Sequence, residues 1–345
     1  MQIVRIILFP LSLLYGVILS MRNMLFTIGI LPVSKVSVPV ISVGNLSVGG
    51  TGKTPHVIYI VELLKEQYKT AILLRGYGRK SKGFVKVTPN IAVNLVGDEA
   101  LSYARKFHQN VDVAVSEDRV EGAKKLLESN PSLELIVLDD AYQNRYLHRD
   151  CNILLTEYKA PFFNDWVMPS GKLREFKAGK KRADIVIVTK CPTDLSETQK
   201  SDFTKKLQLQ KETPVYFSTI RYGALRNIQS DEVIEIPKSV LLVTGIGNPE
   251  PLQNYLKAFS DVKIVKFGDH HHYTKEDIDK IHNLFDTFAG QDKVIVTTEK
   301  DAVRLLNSSL KSYVEKYPWY YQTMEVEIDK KEEFKEKIGK YVSSN

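Results

Sequence analysis

Val40-Ile-Ser-Val-Gly-Asn-Leu-Ser-Val-Gly-Gly-Thr-Gly-Lys-Thr-Pro55 sets a short β-branched run against a cluster of glycines and a Lys-Thr pair, an order that reads as strand, loop and helix start. Behind it Val57, Ile60, Val61 and Leu64 fall at i, i+3, i+4 and i+7, so the spacing predicts a helix that begins near Gly52 and buries that stripe. Pro55 is tolerated because a first-turn residue has no intrahelical partner for the N–H that proline lacks. Gly49, Gly50 and Gly52 let backbone N–H groups, Thr51 among them, converge on phosphate oxygens at a helix N-terminus. Lys53 would then reach the β- and γ-phosphates of a nucleotide such as ATP, and Thr54 would ligate Mg²⁺. The match is a variant, since Ser47 stands where the strict G-x-x-x-x-G-K-[ST] pattern has its first glycine.

The same alternation extends outward. Ala71-Ile-Leu-Leu74 lies one βαβ repeat on, Val111 to Val115 reads as a further strand, and Val120, Ala123 and Leu127 line a helix. Leu135-Ile-Val-Leu-Asp-Asp140 is an apolar strand ending in two carboxylates, where a phosphate-loop protein carries its second metal-handling acid. Asp139 or Asp140 is therefore expected to hold Mg²⁺ directly or through water. Ile185 to Val188 makes one more buried strand, and the composition turns polar from Thr193 to Glu212. Val215 to Arg221 and Val233 to Ile236 read as a short pair of strands. A second α/β unit follows, with strands at Val240 to Val243, Ile264 to Val265 and Val294 to Thr298, and helices around Pro251 to Phe259 and Lys275 to Phe288. The fold class expected is α/β: a mostly parallel sheet of the P-loop NTPase kind, with a second, smaller α/β domain joined by a short two-stranded linker. The predicted division is an apolar helix at 1–34, a phosphate-loop kinase domain at 35–214, the linker at 215–238 and the C-terminal domain at 239–345.

At 345 residues, 43% hydrophobic and 26% charged, the chain can build two cores and is neither disordered nor a multi-spanning membrane protein. Cys151 and Cys191 give no disulfide framework and too few ligands for a cysteine zinc site, so each reads as a buried apolar residue in a reducing compartment. The net charge of +7 points to an anionic partner: nucleic acid, acidic lipid or a phosphorylated substrate. From Ile6 to Ser34 the only charge is Arg22. The uncharged run Ile6 to Met21 would be about 24 Å long as helix, short of the ~30 Å hydrocarbon core of a bilayer. A membrane-surface or partly inserted helix, a buried core helix and a cleaved signal are the three readings, the last weakened by the lack of an A-x-A-like site.

Several segments together resemble one family, the tetraacyldisaccharide 4'-kinases of lipid A (lipopolysaccharide) biosynthesis. They are Val43 to Pro55, Arg75-Gly-Tyr-Gly-Arg79, Gly97-Asp-Glu99, Asp139-Asp140 with Gln143 and Arg145, Gly171-Lys-Leu-Arg-Glu175, Arg182-Ala-Asp184, Gly245-Ile-Gly-Asn-Pro249, Asp269-His-His271 with Tyr273, and Thr298-Glu-Lys-Asp301. The chain departs from the family at Ala141, Tyr142 and Asn144, where D-D-G-F-Q-H is usual, and at Ala100, where proline is common. The resemblance implies MgATP-dependent phosphorylation of the 4'-hydroxyl of an acylated glucosamine disaccharide 1-phosphate. The setting it implies is the anionic cytoplasmic leaflet of the inner membrane, with the chain peripheral or singly anchored. It also implies Asp98 as base with His270 as its partner, Glu99 as a further Mg²⁺ contact, and Arg75, Arg79, Gln143 and Arg174 as substrate contacts. Taken alone, Asp98 and Glu99 are acids at the start of a helix through Leu101, Ala104 and Phe107. Three adjacent histidines, His270 to His272, cannot all face one ion on a regular element, which argues against structural zinc.

A membrane-associated ATPase switch of the partitioning type is the alternative from another class. Such proteins carry a signature lysine where this chain has Val48. A dinucleotide-binding oxidoreductase would need G-x-G-x-x-G at the first turn and is a poor fit. No nucleic-acid-binding signature is present, and nothing in the sequence sets the oligomeric state; a monomer is compatible with it.

Overall fold

Val40–Asn45 forms β1, six residues all buried, as expected of a strand covered on both faces in a parallel sheet. The computed structural model describes residues 2–108, 110–269, 271–290, 292–306 and 309–343; the expected role of His270 lies outside the described residues. The first half of the chain adds β2 (Thr70–Leu74), β3 (Val85–Lys86), β4 (Asp112–Val115), β5 (Leu135–Asp139), β6 (Cys151–Glu157) and β7 (Ile185–Thr189). The second contributes β8 (Val215–Asn227), β9 (Val233–Ile234), β10 (Ser239–Thr244), β11 (Asp261–Lys266), β12 (Lys293–Thr298) and β13 (Trp319–Ile328). Helices α1 (Gln2–Thr27), α2 (Lys53–Leu64), α3 (Val93–Val96), α4 (Asp98–Phe107), α5 (Arg119–Ser129) and α6 (Glu197–Leu207) precede β8. After it come α7 (Glu250–Lys257), α8 (Lys275–Thr287), α9 (Glu299–Leu306), α10 (Lys311–Val314) and α11 (Lys331–Ser343).

All strands join one sheet in the order β11-β10-β12-β13-β8-β7-β6-β1-β5-β2-β4-β3, with β9 on β8. Both neighbours of β1 are parallel to it, and the register sets Val43 beside Asp139 of β5. The end of the apolar strand that closes on two acids therefore lies next to the loop that follows β1. α2 begins at Lys53, one residue after the predicted start, with Pro55 in its first turn and His56, Val57, Ile60, Val61 and Leu64 buried. In α5 Arg119, Gly122, Ala123 and Leu126 are buried and the predicted Val120 and Leu127 pack half-buried against the same core, while the Asp118 carboxylate caps the Val120 and Glu121 N–H groups at the helix start. Both cysteines are buried free thiols, as read from the sequence.

The two halves meet on β8. Its first residues run parallel to β7 at Val186 to Val188, and from Ser218 onward it pairs antiparallel with β13. The expected pairing of β8 with β9 exists, at Leu225 and Arg226, but the longer partner is β13, which closes the ribbon between the halves. After β13 the chain returns: Phe334, Ile338 and Val342 of α11 share a core with Val57, Ile60 and Val61 of α2. A cut at residue 239 is thus not a division of cores.

α1 packs by a mixed face of small, polar and aromatic residues, with Phe26 buried and Tyr15 half-buried on it. Ser12 and Gly16 are buried and Asn23 is half-buried, while Ile6, Ile7, Leu11, Leu14, Ile18 and Met21 are exposed. A Cβ at Gly16 would meet the Phe176 ring at 2.4 Å, so only glycine lets the helix lie this close. The helix runs on through Arg22, whose guanidinium turns inward over Phe26 and Tyr146 and donates to the Gln143 carbonyl. Val4–Thr27 is long and apolar enough to cross a membrane, with mean hydropathy 2.0 and 11% of its most apolar stretch buried, which removes the core-helix reading.

Candidate active site

The loop after β1 is pinned from behind. Asn45 Nδ2 donates to Thr51 Oγ1 at 2.7 Å, and the Thr189 hydroxyl donates to the Thr51 carbonyl at 2.9 Å. Lys190 Nζ holds the Gly50 carbonyl. Gly52 has φ 85°, a left-handed conformation that glycine adopts without strain, and this turns the chain into α2. Burial pushes His56 down to about 4, so the ring is neutral. Its Nδ1–H then donates to the Gly52 carbonyl at 2.7 Å and its Nε2 accepts from the Ser218 hydroxyl at 2.8 Å. Carbonyls are drawn backward by these contacts, which suits a loop whose N–H groups face an anion.

At the mouth of this loop stand the paired acids. Lys53 Nζ lies 3.7 Å from Asp140 Oδ2. Arg174 grips the same carboxylate with both Nη atoms, at 2.8 and 3.0 Å, and reaches Gln143 Oε1 at 3.4 Å. Burial raises Asp140, but Lys53 and Arg174 together outweigh it and hold the carboxyl below its ordinary value. Asp139 is different. It is buried, and its Oδ2 accepts from the Tyr103 hydroxyl of α4 at 2.8 Å while its Oδ1 has no partner. Burial, then Glu99 and Asp140, push it up to about 7. Arg119, also buried and outside the sequence-based set, stands near both acids.

Asp98 and Glu99 open α4, where Gly97 at φ 87° lies against the Tyr77 carbonyl so closely that a Cβ would approach it to 2.9 Å. Arg304 of α9 donates from Nε to Asp98 Oδ2 at 3.0 Å, and its Nη2 donates to the same oxygen. Lys300 lies 3.6 Å from both Asp98 and Glu99. Arg304 continues through Nη1 to Asp301 Oδ1 at 2.9 Å and the Gly245 carbonyl at 3.2 Å, and Asp301 takes the Gly245 N–H at 3.0 Å. The Gly245 and Thr298 to Asp301 segments are thereby fastened to Asp98. Nearby, His271 bonds Asp277 at 2.9 Å and stacks on Phe267.

The expected substrate contacts divide. Gln143 Nε2 donates to the Asn45 carbonyl at 2.9 Å and to Glu175 at 3.0 Å, so Gln143 and Arg174 join the phosphate-loop site. Arg75 is exposed just past β2. Arg79 is not open to a ligand: 5% of its side chain is exposed, and it is held by Glu117 and by the Gly83 carbonyl at 2.6 Å. It braces its own loop. Sequence reasoning gave no role to Glu175, which is buried and collects Asn23, Gln143 and Arg182, or to Arg304. For Arg304 a signal was present, since Thr298-x-x-Asp301 has capping-box spacing and its acid can face a cation one turn on.

The chain matches the family described as tetraacyldisaccharide-1-P 4'-kinase over residues 4–343. It is 42% identical to the tetraacyldisaccharide 4'-kinase of Bacteroides thetaiotaomicron over 98% of this chain and 93% of that one. It is 41% identical to the enzyme of the same name from Flavobacterium johnsoniae over 100% and 99%. Its fold is similar to a crystal structure of LpxK from Aquifex aeolicus in complex with ATP, with TM-score 0.77 at 31% identity, covering 98% of this chain and 99% of that one. The α/β phosphate-loop fold and the kinase activity expected from the sequence hold, and the partitioning-type switch is set aside. The chain belongs to the tetraacyldisaccharide-1-P 4'-kinase family of phosphotransferases.

Proposed function

We propose that the chain moves the γ-phosphoryl group of ATP to the 4'-hydroxyl of tetraacyldisaccharide 1-phosphate at the site between the phosphate loop, Asp139–Asp140 and Asp98. The observation that carries this reading is the row Lys53, Asp140, Arg174 and Gln143 at the mouth of the loop, beside an Asp139 oxygen that lacks a partner. Gly49, Gly50, Thr51 and Gly52 would hold the phosphates through backbone N–H groups, and Lys53 would leave Asp140 for the β/γ-oxygens. Asp139, Asp140 and Thr54, with Glu99 behind them, are the groups that would hold Mg²⁺. The buried unpaired Asp139 oxygen and its raised pKa fit a missing cation. Among the described residues no three acid, imidazole or thiolate groups form a ready cage, which suits an ion that keeps waters and phosphate oxygens as ligands. When bound, Mg²⁺ supplies charge neutralisation on the transferred group.

Asp98 is the group proposed to accept the 4'-hydroxyl proton. Arg304 and Lys300 fix the carboxylate in place, and as substrate enters, the hydroxyl would take up the side of Asp98 turned from Arg304. His270 stays its proposed partner on the strength of the family resemblance. Arg75 and Arg174 are proposed to face the anionic substrate. α1, apolar outward, is proposed to lie on or in the cytoplasmic leaflet of the inner membrane, bringing the lipid to the site through the Asn23 to Glu175 to Gln143 contacts. The test incubates the protein with MgATP and tetraacyldisaccharide 1-phosphate in detergent and follows labelled phosphate into lipid. Folded protein that gives no labelled lipid would overturn the reading.

A further inference from the structure

A cleft of about 280 Å³ opens beside the last turn of α1. Its walls carry Arg145, Arg149, Arg182 and His148 together with Val33 and Asn152, and no carboxylate lines it among the described residues. The three guanidiniums stand close enough to oppose one another. Burial pushes Arg149 down to about 10, with Arg182 and Arg145 adding to the fall, and Arg145 is lowered by burial and then by Arg182.

Their bonds leave donors over. Arg145 Nη1 donates to the Asn23 carbonyl at 2.6 Å and both its Nη atoms reach Thr27 Oγ1 at 3.3 Å, closing the end of α1 and leaving Nε. Arg149 uses Nη1 on the carbonyls of Asn144 and Ala141. Arg182 gives Nη2 to Glu175 at 2.7 Å, and its Nε is buried without an acceptor. The neighbouring acids stand behind the wall and divide their oxygens: Asp150 lies 3.4 Å from His148 Nε2 and Glu175 pairs with Arg182, and each also serves other groups. Glu175 also takes Asn23 and Gln143, Asp150 takes the Val40 N–H at 2.8 Å, and Asp184 takes the Asn152 N–H at 2.8 Å. Three cations around a space with no acid on its wall fit an anion with several acceptor oxygens.

The position selects the source of that anion. Met24, Ile28, Ile30 and Val33 are exposed at the end of α1 and in the segment after it, and Val33 is itself on the cleft wall. The cleft therefore lies where the outward apolar surface gives way to charge, the depth at which lipid phosphates sit when such a helix meets a bilayer. We propose that this cleft binds the phosphate of an anionic phospholipid headgroup, at a site distinct from the phosphate loop. The proposal rests on the membrane reading of α1 given above. It assigns to the site the lipid surface itself, and it gives Arg145 and Arg149 a task outside phosphoryl transfer.

Flotation of the full chain with vesicles tests it. The lipids are phosphatidylcholine alone, or phosphatidylcholine with about a quarter phosphatidic acid or phosphatidylglycerol at fixed salt. The wild type should prefer the anionic vesicles by about tenfold. Arg149→Gln should lose most of that preference, and Arg149→Lys should keep part of it, with phosphatidylcholine binding unchanged in both. His148→Glu places an acid on the exposed rim without removing a buried group, and should cut the preference even if Arg149→Gln folds poorly. Full preference in folded Arg149→Gln and in His148→Glu overturns the proposal, as does a wild type that binds both vesicle types equally. If the wild type binds no vesicle, the membrane reading fails separately and with it the headgroup as ligand. Calorimetry with inorganic phosphate in a Lys53→Ala background then shows whether the cleft is a phosphate site at all: heat that Arg149→Gln abolishes supports one, and no heat overturns it.

Discussion

Two sets of carboxylates flank the phosphate loop, and they are neutralised in opposite ways. Asp98, at the start of α4, receives Arg304 and Lys300 from the other half of the chain. Asp139, at the end of β5, receives a tyrosine hydroxyl on one oxygen and nothing on the other, while Lys53 and Arg174 go to its neighbour Asp140. A buried acid without a cation is costly, and the cost falls when a cation arrives with a ligand. The first set thus holds the molecule together at rest. The second is the set proposed to be completed by Mg²⁺, and this difference separates the acid that joins the halves from the acid left with an unpaired oxygen.

The largest effects should come from groups that act on the transferred phosphoryl. Lys53→Ala should lower kcat/KM by about 10³-fold with little change in melting temperature, because the lysine sits at the mouth of the loop. Asp98→Asn should lower kcat by roughly 10² to 10⁴-fold as a lost proton acceptor. It should also lower the melting temperature, since Arg304 loses its charged partner. A stable but inactive Asp98→Asn would break the comparison by making Asp98 purely catalytic; an active, unstable one would make it purely structural.

Removing the cation tests the joint from its other side. Arg304→Met removes the buried cation shared by Asp98 and Asp301, leaving only the longer Lys300 contact to Asp98, and should cost about 3 kcal/mol in urea unfolding. Asp139→Asn should do the reverse to the metal-free protein. The unfolded carboxyl titrates near ~3.9 and the folded one at about 7, so between these values the folded state holds the extra proton. The penalty from this group is absent at lower pH, grows as pH rises through the window, and is constant above it. In chelator, the melting temperature of Asp139→Asn relative to wild type should therefore climb from about pH 4 to about pH 7 and then level off. Millimolar Mg²⁺ should raise the wild type and not the variant. A flat difference across that range would mean that Asp139 is satisfied in the metal-free state, and the contrast with Asp98 would collapse.

Much of the phosphate-loop half was legible because its signals are local: a glycine cluster, a 3.6-residue stripe through Val57 to Leu64, and an apolar strand ending in Asp139 and Asp140. The position of Asp139 beside Val43 follows from parallel pairing of two buried runs. What was not legible depends on pairing across long stretches of chain. Nothing within Val215 to Arg221 announces that β8 will find β13 a hundred residues later, or that α11 will return to α2. Arg79 is an expected substrate contact because its motif resembles the family's, and nothing local shows that Glu117, 38 residues on, pairs with it. For α1 the composition gave the apolarity and not its direction. Only the packing of Ser12, Gly16 and Phe26 shows which face turns inward.

The smallest effect separates the two cations on Asp98. Arg304 is buried and reaches the carboxylate with two nitrogens, whereas Lys300 is about a quarter exposed and sits 3.6 Å from both Asp98 and Glu99. Partial exposure screens an ion pair, and a longer separation weakens it further. Lys300→Met should therefore change unfolding free energy by less than about 1 kcal/mol, while Arg304→Met changes it several-fold more. Its activity should respond more than its stability, because Glu99 loses the cation that shares it with Asp98 and adds negative charge beside Asp139. The Mg²⁺ concentration needed for half-maximal activity should then fall by about two- to threefold as the acid set binds the ion more tightly. Equal destabilisation by the two substitutions would show that the joint rests on summed charge rather than on the Arg304 bonds, and the structural half of the contrast would have to be redrawn.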